Sequence, residues 1–336
     1  MACGVLAAGG PKPRTWFLAP NHQLTPAPAE VAIDHLRYVP SAGSAAGFWW
    51  GELLGDQRSV DAYSLTYDST PLEAEVSILG FAHVRLLAAA DAPLADWFVR
   101  LEDVAQDGRV TAITGAGLAS AQRRSMEHPE ALVPGKEYQL DFDLHLGSWT
   151  WAPGHRIRVA VSNAQWPMHW PTPYRMTTSL RLGGAEGSAI VLPVVPTRGR
   201  APPPFAGLEP VEAPPGISTP NDYAWPGSWK LDRDEANQRS TVTWRGTTEM
   251  HFPWGSFDHS EQLIYHVDDA DPAISAVEGE GESVEKLSDR VLTYRGHVTV
   301  KSDATTFDYT FTRELLRDGL VVRTKSWHEA IPRDLQ

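Results

Sequence analysis

From Asp61 to about Val195 the chain is a succession of short apolar runs at period two, broken by turn pairs, and that pattern leaves little besides a β-sheet protein. Tyr138, Leu140, Phe142, Leu144 and Leu146 alternate with Gln139, Asp141, Asp143 and His145, as in a strand with one wet and one buried face. Ile157, Val159 and Val161 repeat the pattern against Arg156, Arg158 and Ala160. Asp107-Gly108 separates the apolar run Trp97 to Val104 from Val110 to Ile113, and Asp-Gly suits a tight hairpin. Pro134-Gly135 marks another turn. With no amphipathic helix between these strands, the spacing predicts an all-β fold: a jelly-roll sandwich over residues 61–195.

The flanks read differently. Prolines at 11, 13, 20, 26, 28 and 40 interrupt residues 1–60 without sustained periodicity, which predicts an extended leader whose Trp16, Phe17, Trp49 and Trp50 lie against a neighbouring surface. Nine prolines fall between Pro193 and Pro220, including Pro202-Pro203-Pro204 and Pro214-Pro215. Residues 196–224 are therefore expected to form a linker, since proline brings no amide proton to a ladder. Residues 225–336 carry a second set of strand signals: Thr241 to Trp244, Glu261 to Val267, Val298 to Val300, Phe307 to Phe311 and Leu320 to Trp327, with Asp318-Gly319 as a hairpin turn. A second, smaller antiparallel domain is predicted, with a short helix near Pro272 to Val277 and a solvated acidic loop from Asp268 to Asp289.

A net charge of −13 argues against nucleic acid, because phosphate contacts need a surplus of Lys and Arg. The charge is uneven: net −10 from Glu209 to Gln336 and net −3 before it, which marks two different modules. A single cysteine, Cys3, excludes an internal disulfide framework. The first ten residues lack a basic n-region and no stretch of ~20 apolar residues follows, so neither a signal peptide nor a membrane span is expected, and the cytoplasm is the expected compartment.

Four segments carry a family resemblance: Asp61-Ala-Tyr-Ser-Leu-Thr-Tyr-Asp-Ser-Thr-Pro71-Leu72, Asp96 to Arg109, Val133 to Phe142, and Trp151-Ala-Pro-Gly-His-Arg-Ile-Arg-Val-Ala-Val-Ser162 followed by Trp166-Pro167. In series they resemble the C-terminal, non-catalytic, galactose-binding-like β-sandwich of CocE/NonD-type serine hydrolases, the group of cocaine esterase and X-Pro dipeptidyl-peptidase. The resemblance implies a portion of such a hydrolase, truncated or a fragment, that braces an α/β-hydrolase domain or, lacking it, self-associates through an exposed apolar face. The parent reaction it implies is ester or amide cleavage through an acyl-serine.

That chemistry needs a Gly-x-Ser-x-Gly elbow between a strand and a helix. Gly43-Ser44-Ala-Ala-Gly47 and Gly117-Leu-Ala-Ser120 put serine at the wrong offset, so no catalytic residue is assigned. Asp258-His259-Ser260 holds the three triad residue types, but adjacent strand residues point apart. His251, His259 and His266 match no zinc spacing, and neither a metal nor a cofactor is expected. Asp103 and Asp107 would suit a calcium loop or, more simply, a turn. Trp149, Trp151, Trp166, Trp170 and Tyr174 remain as aromatics for packing, for an interface, or for stacking sugars, the last making the chain a free-standing carbohydrate- or protein-binding module. His155 is expected to be a structural histidine at a strand entry.

Overall fold

The alternating runs form strands, and more of them than the sequence suggested. The computed structural model describes residues 11–46, 56–196 and 229–336, and the chain divides into two units near Arg200. The first unit holds β1 (Lys12–Ala19), β2 (Gln23–Thr25), β3 (Ala32–Arg37), β4 (Leu65–Asp68), β5 (Val76–Gly80), β6 (His83–Ala90), β7 (Asp96–Val104), β8 (Val110–Ala119), β9 (Tyr138–Asp143), β10 (Gly147–Trp151), β11 (Arg156–Ser162), β12 (Thr177–Leu182) and β13 (Ala189–Val195). They hydrogen-bond in the order β3-β12-β6-β13-β1-β2-β4-β11-β7-β8, with β9 on β6 and the β5/β10 pair joined through β13. All pairs but β2/β4 are antiparallel. This is the all-β sandwich that the periodicity predicts.

Residues 12–46 are not a leader. β1 lies between β13 and β2 in the sheet, and Trp16 and Leu18 are part of the core. The prolines misled because Pro13 sits near the start of β1 while Pro20, Pro26, Pro28 and Pro40 fall in the connections, where their missing amide costs the ladder nothing. Trp49 and Trp50 lie outside the described residues, as do Cys3 and nearly all of the expected linker.

The core takes one face of each strand: Trp97, Val99 and Leu101 of β7, Ile157, Val159 and Val161 of β11, Leu65 and Tyr67 of β4. Each such side chain contributes ~1.5–3 kcal/mol. The other face of β7 is buried too, from Asp96 to Asp103. Helix α1 (Arg58–Asp61) reaches it through Asp61, and the connection after β11 reaches it through His169, whose ring packs edge-on to Phe98 at 5.3 Å. The connection after β11 also meets the segment at 41–46, where a Cβ on Gly43 (φ +92°) would lie 2.7 Å from Gln165 Cα. Gly43→Ala should therefore cost roughly 2 kcal/mol or more, from backbone strain and collision with main chain. A thermal melt unchanged within a degree would contradict this close approach.

The second unit is one antiparallel meander of seven strands in sequence order: β14 (Trp229–Asp234), β15 (Arg239–Phe252), β16 (Gly255–Asp268), β17 (Ser275–Leu287), β18 (Val291–Ser302), β19 (Thr306–Arg317) and β20 (Leu320–Pro332). Asp318 and Gly319 both adopt positive φ, 53° and 79°, as a two-residue hairpin turn demands. Two expectations fail here. Pro272 to Val277 is a turn running into β17 rather than a helix, and the acidic segment is β17 itself. In Val277-Glu-Gly-Glu-Gly-Glu282 the glutamates occupy alternate positions, so they share one sheet face instead of marking a loop. Among the described residues no helix is long and apolar enough to cross a membrane.

Candidate functional site

The buried outer face of β7 and β11 carries the densest polar chemistry of the first unit. Cross-strand register sets Arg158 beside both Asp68 and Glu102, and Ala160 beside Arg100. Arg158 donates from Nε and Nη2 to the two carboxylate oxygens of Asp68 at 2.6 and 2.8 Å, and from Nη1 to Asp61 at 2.8 Å. Asp61, placed by α1, also accepts from Arg100 Nη2 at 2.7 Å. Arg100 Nε donates to Glu102 Oε1 at 2.8 Å. Two guanidinium groups thus knit three carboxylates together beneath a covering segment.

The cluster is dry at its centre. The Arg100 and Glu102 side chains are 3% and 0% exposed, and among the described residues Arg100 Nη1 and Glu102 Oε2 have no hydrogen-bond partner. Burial pushes the Glu102 carboxyl up to about 8, the pull of Arg100 offsetting only part of it and the nearby Asp61 charge adding to the rise. A proton on Glu102 near neutral pH balances the remaining two carboxylates against two arginines.

A second polar group sits at the entry to β11. His155 Nδ1 lies 2.8 Å from Asp103 Oδ1, and Trp149 Nε1 donates to Asp103 Oδ2 at 3.0 Å. Both Asp103 oxygens are thereby used within the protein, while Asp107 accepts from the Arg109 amide as a turn residue. No serine, threonine or cysteine among the described residues hydrogen-bonds His155, so the imidazole and carboxylate have no nucleophile to activate. In the second unit Asp258, His259 and Ser260 alternate along β16 as strand geometry requires: Asp258 pairs with Lys286 at 2.7 Å and His259 Nδ1 with Ser283 Oγ at 2.8 Å. Among the described residues no His/Cys/Asp/Glu group is arranged to hold a metal.

The aromatic set divides. Trp151 is fully buried and donates Nε1 to the Glu102 carbonyl at 3.1 Å. Trp166 is buried as well, with Trp170 edge-on at 5.3 Å. Trp149 is half-buried against the core, and Tyr174 is the exposed member at 40%. These rings are not one open stacking platform.

Residues 10–193 match the family of the X-Pro dipeptidyl-peptidase C-terminal non-catalytic domain. The chain belongs to that family. Among its relatives, a protein named as a serine esterase from Mycobacterium bovis is 31% identical, over 45% of this chain and 28% of its own. The cocaine esterase of a Rhodococcus species is 30% identical, over 39% of this chain and 23% of its own. The chain thus spans about a quarter of the length of these relatives. In fold it resembles the crystal structure of an aminopeptidase from a marine-sediment Thaumarchaeota archaeon, with a TM-score of 0.51 and 22% identity, covering 55% of this chain and 37% of that one. The match to the non-catalytic domain ends at β13, so the seven-stranded meander lies outside it.

Periodicity did not reveal the Asp61-Arg100-Glu102-Arg158-Asp68 cluster. Arg100 and Glu102 fall within Trp97 to Val104, which the sequence presents as an apolar run. The usable signal was the motif itself, Asp61 and Asp68 recurring around a strand whose neighbours carry arginine on the same parity.

Proposed function

We propose that the sandwich braces the α/β-hydrolase domain of a CocE/NonD-type hydrolase and walls part of its substrate cleft. The reaction of the whole enzyme is then transfer of an acyl group from an ester or amide to water through an acyl-serine. The observation that carries this reading is the match of residues 10–193 to a non-catalytic domain, and in keeping with it Asp103 of the His155–Asp103 pair holds the Trp149 indole rather than, among the described residues, a hydroxyl. Exposed Leu79, Phe81 and Leu146, beside the paired Gly80 and Gly147 where β5 ends and β10 begins, offer an apolar surface for such a neighbour. The burial of Trp151 and Trp166 speaks against the carbohydrate-binding alternative.

A serine-directed fluorophosphonate probe tests the division of labour. The purified chain should stay unlabelled at concentrations that saturate an active serine hydrolase. Covalent labelling of any serine in residues 11–336 would overturn the non-catalytic reading.

A further inference from the structure

The last strand of the second unit, β20, is an open edge. Among the described residues it pairs only with β19, so every second residue turns its N–H and C=O away from the sheet. Its side chains are exposed along the whole strand save Trp327, which is half-buried. Leu320, Val321 and Val322 at one end and Ile331 at the other put apolar groups in water. Natural sheets blunt such an edge with short strands, prolines, bulges or charge. β20 is 13 residues long, its proline is the last of them, and its bulge at Val322 leaves Arg323 to Pro332 regular. Its charge is self-complementary.

Ser326 is the midpoint of β20, and Arg323 and Glu329 stand three residues to either side of it. They share one side of the strand with Lys325 and Trp327. Neither Arg323 nor Glu329 has a hydrogen-bond or ion-pair partner among the described residues. We infer that β20 pairs edge to edge with β20 of a second copy of this chain, antiparallel, about a two-fold axis through Ser326. Each Arg323 then stands directly opposite the second copy's Glu329, at about 5 Å between Cβ atoms. Both unpaired charges are thereby matched, twice over. Each Lys325 comes opposite Trp327, Val322 beside Ala330, and Val321 toward Ile331, so the exposed apolar ends cover one another.

Other registers fit worse. Moving the axis to Lys325 sets that lysine against its own copy, and moving it to Trp327 leaves Arg323 opposite Ile331. A shift of half a residue sets outward-facing backbone groups of one strand against inward-facing groups of the other, which forms no ladder. The axis at Ser326 is also the one that leaves none of the 13 residues overhanging. From Arg323 to Glu329 the shared ladder is regular over about 24 Å, longer than the about 17–20 Å of a common strand.

Sedimentation of the full chain over a wide concentration range reads the association, and the wild type should dimerise. Arg323→Glu and Glu329→Arg each set like charges opposite one another twice, so each should weaken dimerisation about tenfold or more. Mixing the two variants restores an acid opposite a base at both contacts, and a heterodimer of near wild-type affinity should form. A cross-link fixes the register. In a Cys3→Ser background, Ser326→Cys should join to its own copy through a short bismaleimide, whereas Thr324→Cys, about 14 Å from its copy, should not. Thr324→Cys mixed with His328→Cys should join again. Circular dichroism checks that each variant keeps the sheet, and should either charge reversal unfold, the cross-linking pattern decides alone. A monomer at every concentration, a dimer indifferent to both reversals, or cross-linking from position 324 as strong as from 326 would each overturn the inference.

Discussion

Arg100→Ala is expected to lower the stability of the sandwich by about 3–5 kcal/mol, the cost of removing one partner from a buried ion pair. The loss comes mainly from what is left behind. Arg158 still holds Asp61, but Glu102 Oε1 loses the donor it has at 2.8 Å, in a site where its other oxygen already lacks a partner. In a unit of this size that corresponds to roughly 10 °C in melting temperature. The companion variant separates the orphaned acceptor from packing: Arg100→Met refills the space but leaves Glu102 Oε1 without its donor, whereas Arg100→Met with Glu102→Leu removes that acceptor as well and should recover part of the loss, Asp61 and Asp68 remaining with Arg158. Urea unfolding followed by tryptophan fluorescence reads both, since Trp97 and Trp151 are buried in the same unit. A cost below about 1 kcal/mol for Arg100→Ala would show that water already solvates the cluster and that the outer face of β7 is not sealed.

How the sequence conceals this cluster is instructive. Alternation located β11 within a residue at either end and the start of β9, where Gln139, Asp141 and Asp143 mark a wet face, but it ran on to Leu146, whereas β9 ends at Asp143 and Leu146 is exposed. The same rule applied to β7 assigns Arg100 and Glu102 to solvent. It fails because a period-two pattern reports the chemistry of a side chain, not what lies over it. Only the covering of β7, by α1 through Asp61 and by the connection after β11 through His169, turns a polar face into an interior one. β1 was hidden for a related reason: prolines at its margins outweighed a buried Trp16 and Leu18 in a stretch too short to show a period. In the second unit, turn residues and aromatic runs exposed the strands, while the glutamates of β17 mimicked a loop because their partners on the other parity are small: Val277, Gly279, Gly281. The family resemblance reached further than the physics could, since a motif carries the arrangement of Asp61, Asp68 and Arg158 without having to explain it.

Glu102 also predicts how the sandwich responds to alkali. Its carboxyl is raised from 4.5 to about 8 on folding, burial being the leading cause. Between those values the folded protein keeps a proton that the unfolded chain has released, so folding binds protons and stability falls as pH rises. The contribution is fully present below about 4.5, declines by at most ~1.4 kcal/mol per pH unit, and is gone once pH passes about 8. The direction is opposite to that of an ordinary salt-bridged carboxylate, which stabilises as it ionises. Glu102→Gln keeps the acceptor for Arg100 Nε in a group that cannot ionise. Urea midpoints measured at several pH values should therefore converge for wild type and variant in acid, and separate above neutrality by a few kcal/mol in favour of glutamine. Parallel midpoints from about pH 5 to about pH 9 would mean that Glu102 is ionised throughout, held so by Arg100, and that the cluster carries its full negative charge in the folded protein.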